Sequence, residues 1–196
     1  MLQLPPRDFA AYIFDCDGTL VDTMPIHYVC WVDALRRNGA TYPFTEEEFY
    51  DYAGIREWDT VVLLNKMHEA NVDPDAVVEM KAGMFRQRVH EVMRIRPVAD
   101  FAESLRGRKP MAVASGSEAP IVHACLKNTG LFDLFDHIIT PVDVEHGKPA
   151  PDMFLLAAER MGVRPEDCLV LEDGKAGLEA AMAAGMESVF IPRTLR

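Results

Sequence analysis

The chain has 196 residues, 49% of them hydrophobic and 26% charged, which excludes a disordered or fibrous protein and allows one full core plus a small extra module. Lys and Arg total 20 against 31 Asp and Glu, a formal net charge of −11, so neither nucleic acid nor a membrane is expected as a partner. No apolar run approaches the roughly 20 residues of a membrane span, the first residues lack a signal-peptide pattern, and the four scattered cysteines (Cys16, Cys30, Cys125, Cys168) read as reduced thiols of a cytoplasmic protein.

The first strand-like run is AYIF, residues 11–14. The stretch from there to Pro97 holds no convincing strand but several helix signals. Thr45 with Glu48 makes a capping box, and Phe44 with Phe49 the matching hydrophobic staple. Trp58, Val61, Val62, Leu64 and Met67 give an apolar helical face. Asp73-Pro74 reads as the cap and first-turn proline of a helix running to about Val92. These signals predict a helical insert over residues 23–94, with Arg96-Pro97 as the return linker. Further strand-like runs follow at 111–114, near Ile138, at 168–171 and at 188–191. None alternates strictly, as expected of strands buried on both faces. Helical patterns at 98–106, 121–128, 153–161 and 176–184 each stop at a glycine (Gly107, Gly130, Gly162, Gly185), the usual left-handed cap. Strand and helix repeated this way predict an α/β fold, a parallel sheet flanked by helices with right-handed crossovers. The expected division is a core of residues 1–22 and 95–196 with an inserted all-helical module at 23–94.

The strongest chemical signal is DCDGTLVD, residues 15–22, directly after the first strand. Two carboxylates two residues apart repel unless a cation joins them. Mg²⁺ is the natural neutraliser, being hard, oxygen-seeking and commonly shared with a phosphate. Strand ends are also where open α/β sheets bind ligands. The other strand ends supply Ser115-Gly116-Ser117, Lys148 within Gly147-Lys148-Pro149, and Glu172-Asp173-Gly174. A nucleophile, metal carboxylates, a positive charge and hydrogen-bond donors are the parts that phosphoryl transfer needs.

DCDGTLVD, ASGS, GKPAPD and LEDGKAG, in this order between Asp15 and Gly177, resemble the motifs of the haloacid dehalogenase superfamily. The position of the helical insert resembles that superfamily's small helical-cap branch, which includes β-phosphoglucomutase and many sugar-phosphate phosphatases. The resemblance implies a Rossmann-like core, a mobile cap, Mg²⁺ and an aspartyl-phosphate intermediate. It implies Asp15 as nucleophile and metal ligand, and Asp17 as general acid/base with its backbone carbonyl on the metal. It implies Ser115 and Gly116 as phosphoryl-binding, Lys148 as the balancing cation, Asp173 as a metal ligand and Glu172 as a direct or indirect one. An aspartate at Asp17 speaks for phosphate esters and against the halide- and phosphonate-cleaving branches.

Thr23, His27 and Trp31 are spaced by four and share a helix face. The resemblance implies that His27 couples cap closure to Asp17, and Trp31 is as well explained by packing. Gly54-Ile55-Arg56 resembles the cap specificity loop. Arg56 stands one place before the arginine that holds the second phosphate in the mutase, and Glu57 falls on that position. Lys81 falls near a cap lysine of the same enzyme, or is a surface helix lysine. The Lys-Asn pair of the mutase is replaced by Glu118 and Ala119. The expected activity is therefore a Mg²⁺-dependent phosphatase acting on a small phosphorylated metabolite, a sugar phosphate above all. The alternatives are a sugar phosphomutase and a catalytically silent metabolite-binding protein, against which the four intact motifs argue. A monomer or weak homodimer is expected.

Overall fold

Residues 2–195 are described by a computed structural model of the chain; residues 1 and 196, the ends of the expected core, lie outside it. In chain order the elements are β1 (Ala11–Phe14), β2 (Val21–Asp22), α1 (Met24–Arg37), α2 (Glu46–Asp51), α3 (Glu57–Met67), α4 (Pro74–Arg88), β3 (Met93–Arg94), α5 (Arg96–Leu105), β4 (Met111–Ala114), α6 (Ala119–Asn128), β5 (His137–Ile139), α7 (Asp152–Met161), β6 (Cys168–Glu172), α8 (Lys175–Ala183) and β7 (Glu187–Phe190). Five strands form one parallel sheet in the order β5-β4-β1-β6-β7.

The sheet is covered on both faces, which is why its strands are continuously apolar. Tyr12, Phe14, Met111, Val113, Leu169 and Leu171 point to one side and pack with Val98, Ala102, Ile121 and Leu126 of α5 and α6. The intervening residues Ala11, Ile13, Ala112, Ala114 and Val170 meet Phe154 and Ala157 of α7 and Ala180 and Ala181 of α8 on the other. β1 stands between β4 and β6, where the strand order reverses. Its register pairs Phe14 with Val113 and Leu171, so the next residue, Asp15, emerges beside Glu172.

Helices α1 to α4 lie between β2 and β3 and share an apolar cluster of their own that includes Trp31, Phe44, Phe49, Val61, Leu64 and Val77. Their capping signals read correctly. Thr45 and Glu48 form the reciprocal capping box, Phe44 and Phe49 are in edge contact at 6.3 Å, and the Asp73 side chain caps α4.

Four local readings need correction. The segment does contain strands: β2 and β3 pair antiparallel at its root, and Ile95 N donates to Leu20 O at 2.9 Å. Two-residue strands are too short to show a period. Arg96-Pro97 is not a linker but the first turn of α5, where a proline loses no hydrogen bond. Helix α4 ends at Arg88 and a single 3-10 turn carries the chain to Glu91. The inward stripe of α3 is Glu57, Thr60, Val61 and Leu64, whereas Trp58 and Met67 are 43% and 55% exposed. No helix among the described residues is long and apolar enough to cross a membrane.

Candidate active site

Three strand ends and one loop meet at the carboxyl edge of the sheet. Asp15 N donates to Leu171 O at 2.9 Å and Ser115 N to Ile139 O at 3.0 Å, so each residue is pinned by the neighbouring strand. Lys148 is buried and its Nζ donates to Asp15 Oδ1 at 2.8 Å and to Glu172 Oε2 at 2.7 Å. Glu172 Oε1 accepts from the backbone N–H groups of Asp173 and Gly174 at 3.2 and 2.9 Å. Carboxylate oxygens of Asp15, Glu172 and Asp173 lie within 4.8 Å of one another.

This set fits a hard divalent cation. Three carboxylates face one ammonium, the donors are all oxygens, and Asp15 Oδ2 is buried without a hydrogen-bond partner. Without a cation, burial and then the Glu172 charge outweigh Lys148 and push the Asp15 carboxyl up to about 7. Burial opposes the charge on Lys148, but Asp15 and Glu172 overcome it and raise its pKa.

Asp17 points elsewhere. Its Oδ1 accepts from Thr23 Oγ1 at 2.7 Å and lies 3.1 Å from His27 Nε2, and its Oδ2 accepts from Ser115 Oγ at 3.2 Å. Ser115 Oγ in turn accepts from Ser117 N at 3.1 Å. The Asp17 carboxyl is therefore not one of the three clustered carboxylates. Burial works against its charge, yet His27, Thr23 and Ser117 hold its pKa well below the usual carboxylate range. The His27 ring stacks on Phe85 at 4.1 Å. Burial and then the Lys81 charge lower its pKa against the pull of Asp17. His27 Nδ1 is buried with no partner, so a neutral ring with its proton on Nε2, aimed at Asp17, leaves no donor stranded.

The helical segment closes over this edge. A Cβ on Gly116 would lie 2.7 Å from Gly54 O, and one on Gly174 would lie 2.7 Å from Ala53 O. The backbone of the 53–56 loop therefore rests on two sheet-edge loops that side chains would hold away. Between them is a cavity lined by Asp15, Asp17, Gly116 and Ser117 of the sheet edge and by His27, Trp31, Phe44, Tyr52, Gly54, Glu57 and Lys81 of the helical segment. Lys81 is not a surface lysine: it is 1% exposed and ion-paired with Glu57. Arg56 turns out of the cavity and donates to Pro141 O at 3.1 Å. The structure thus gathers Asp15, Lys148, Glu172 and Asp173 in one cluster and Asp17, Thr23, His27 and Ser115 in another, and sets Trp31 and Lys81 on the facing wall. Glu57 and Ser117 were not named as site residues from the sequence. Matching the cap loop puts Glu57 on the second-phosphate position but gives it no role, because an acid in a first turn is ordinary on a helix surface.

Residues 9–185 match the family described as haloacid dehalogenase-like hydrolases. The chain is 39% identical over 183 residues to fructose-1-phosphate phosphatase YqaB of Escherichia coli (strain K12), covering 93% of this chain and 96% of that protein. It is 31% identical over 186 residues to a phosphorylated carbohydrates phosphatase of Thermotoga maritima, covering 92% and 83%. Among solved structures, CbbY from Rhodobacter sphaeroides in complex with phosphate superposes with a TM-score of 0.81 at 24% identity, over 94% of this chain and 86% of that one, a likeness of fold.

Proposed function

We propose, for a chain that belongs to the haloacid dehalogenase-like hydrolase family and is a phosphoric monoester hydrolase, that the reaction runs through an aspartyl-phosphate on Asp15 and that the substrate is a small sugar phosphate. One meeting of side chains carries this reading: a buried carboxylate with a bare oxygen stands beside an ammonium and two further acids, on a cavity that also exposes a second aspartate.

Asp15 attacks phosphorus, an oxygen–phosphorus bond forms, and the ester bond to the sugar oxygen breaks. Asp17, whose proton affinity rises when a phosphate dianion enters beside it, gives a proton to the leaving oxygen. It then takes one from the water that opens the aspartyl-phosphate. Thr23, His27 and Ser115 hold the Asp17 carboxyl in place through both steps. Lys148 offsets the charge of Asp15 and of the phosphoryl oxygens. Asp15 and Asp173, with Glu172 and the Asp17 carbonyl as further oxygen donors, would hold Mg²⁺, which when bound would neutralise phosphoryl charge. Gly116 and Gly174 let the cap loop, residues 53–56, seal the site against bulk water.

Residues 23–94 act as the cap and the sheet module as the catalytic core. A cytoplasmic setting is part of the same reading, supported by four unpaired, buried cysteines. The test is a phosphate-release screen over hexose, pentose and polyol phosphates with Mg²⁺. Release from a sugar phosphate that disappears in Asp15→Asn supports the proposal. Release that survives in Asp15→Asn refutes it.

A further inference from the structure

The chain from Tyr50 of α2 to Arg56 runs across the whole carboxyl edge of the sheet. Arg56 donates to Pro141 O in the turn after β5. Gly54 O rests on Gly116 after β4, and Ala53 O on Gly174 after β6. At the other end the guanidinium of Arg193, just after β7, lies over the Tyr50 ring. These contacts follow the strand order β5-β4-β1-β6-β7, with the end of β1 and Asp15 in the middle. The inner two are backbone against glycine. The outer two are guanidinium groups, and neither arginine lines the cavity. Arg193 stands on a fixed base: Ile191 is buried, its N–H donates to Glu172 O at 2.8 Å, and Leu195 N donates to Pro192 O at 3.0 Å. The phosphoryl chemistry uses neither Arg193 nor Tyr50.

We propose that Arg193 is a positioning residue: stacked on Tyr50, it clasps the α2 end of this segment to the sheet module and so holds the cap closed over Asp15 and Asp17. Arg56 anchors the opposite end. The role in turnover rests on the phosphatase reading above. Tyr50 belongs to the helical segment and Arg193 to the sheet module, so the stack exists only while the two are together. It therefore acts on the closed state alone and shifts the balance between open and closed. Closure removes water from the cavity and completes its walls.

The experiment reads closure and turnover side by side. In a Trp58→Phe background the one remaining tryptophan is Trp31, which lines the cavity and is 4% exposed, so acrylamide quenching of its fluorescence reports opening. Arg193→Ala is expected to raise the quenching constant and to lower kcat/KM by about two- to fivefold. The factor should be the same for a sugar phosphate and a plain aryl phosphate, because the cap rather than a substrate contact is changed. Tyr50→Leu should do likewise, the double variant should lose no more than either single one, and Arg193→Lys, which keeps a cation over the ring, should restore most of the loss. A stack that only tidies the surface would leave Trp31 quenching unchanged in Arg193→Ala, and that result overturns the proposal. So does a double variant whose losses multiply. A chain that releases phosphate from neither ester refutes the phosphatase reading instead, and the quenching, which needs no turnover, still decides whether the clasp holds the cap.

Discussion

The sheet edge and the helical wall both bury a lysine against carboxylate, yet their balances differ. At the sheet edge Lys148 bridges Asp15 and Glu172 with Asp173 alongside, so negative charge is in excess. On the facing wall Lys81 meets Glu57 alone and the charges cancel. Excess acid in a buried place is tolerable only if a proton or a cation joins it. A balanced pair needs neither. The same residue pairing therefore calls for a cation at one end of the cavity and for none at the other.

The sharpest way to break this contrast is Asp15→Asn, for which phosphate release should fall by at least about 10⁴-fold while the far-ultraviolet spectrum stays that of the wild type. Asp17→Asn should lower kcat by about 10² to 10⁴ in a steady-state assay, because both proton transfers lose their carrier. If turnover were unaffected, the hydrogen bonds from Thr23, His27 and Ser115 would be serving packing alone.

Removing the lysines tests the two balances directly. Lys148→Met leaves acids facing one another and should cost about 3–5 kcal/mol by chemical denaturation in chelator, with part of the loss restored by Mg²⁺. Lys81→Met should also destabilise, but Mg²⁺ should restore nothing there. Equal rescue at both places would erase the distinction drawn between them.

The pH dependence carries a defined sign. Burial and Glu172 lift the Asp15 carboxyl from its ordinary 3.8 to about 7. Between those values the folded chain binds a proton that the unfolded chain has released, so stability falls as pH rises from about 4 to about 7 in cation-free buffer. Thermal melts should show this slope in the wild type and a shallower one in Asp15→Asn, and Mg²⁺ should flatten the wild-type curve. The smallest expected effect is that of His27→Ala, a loss of about tenfold in kcat with little change in KM, since His27 acts through Asp17. A variant matching the parent on its best substrate would remove His27 from the mechanism.

Much of the core could be read directly from residue order. The five sheet strands are short apolar runs bounded by glycine and turn residues, and in a parallel sheet both faces are covered, so the pattern reports the burial. Asp15, Ser115 and Glu172-Asp173 lie at strand ends, where topology alone brings them to one edge, and Lys148 reaches the same edge from the loop after β5. The helical segment was harder. Its caps were legible, because a capping box is a contact between residues three apart. The face that α3 turns inward was legible only in part: Val61 and Leu64 of its apolar face are buried, but Trp58, Val62 and Met67 stay 43%, 38% and 55% exposed while Glu57 and Thr60 line the cavity. The ribbon of β2 and β3 escaped notice since two residues carry no period.

What the order of amino acids determined by itself is the sheet, its edge and the acids and lysine gathered there, because each depends on local pattern and on the few topologies a parallel sheet allows. Only the folded chain decided that Lys81 is buried against Glu57, that Arg56 turns away, and that Gly116 and Gly174 receive the 53–56 loop. Those facts join residues from separate elements across the cavity, and no spacing along one helix or strand encodes a distance between two of them.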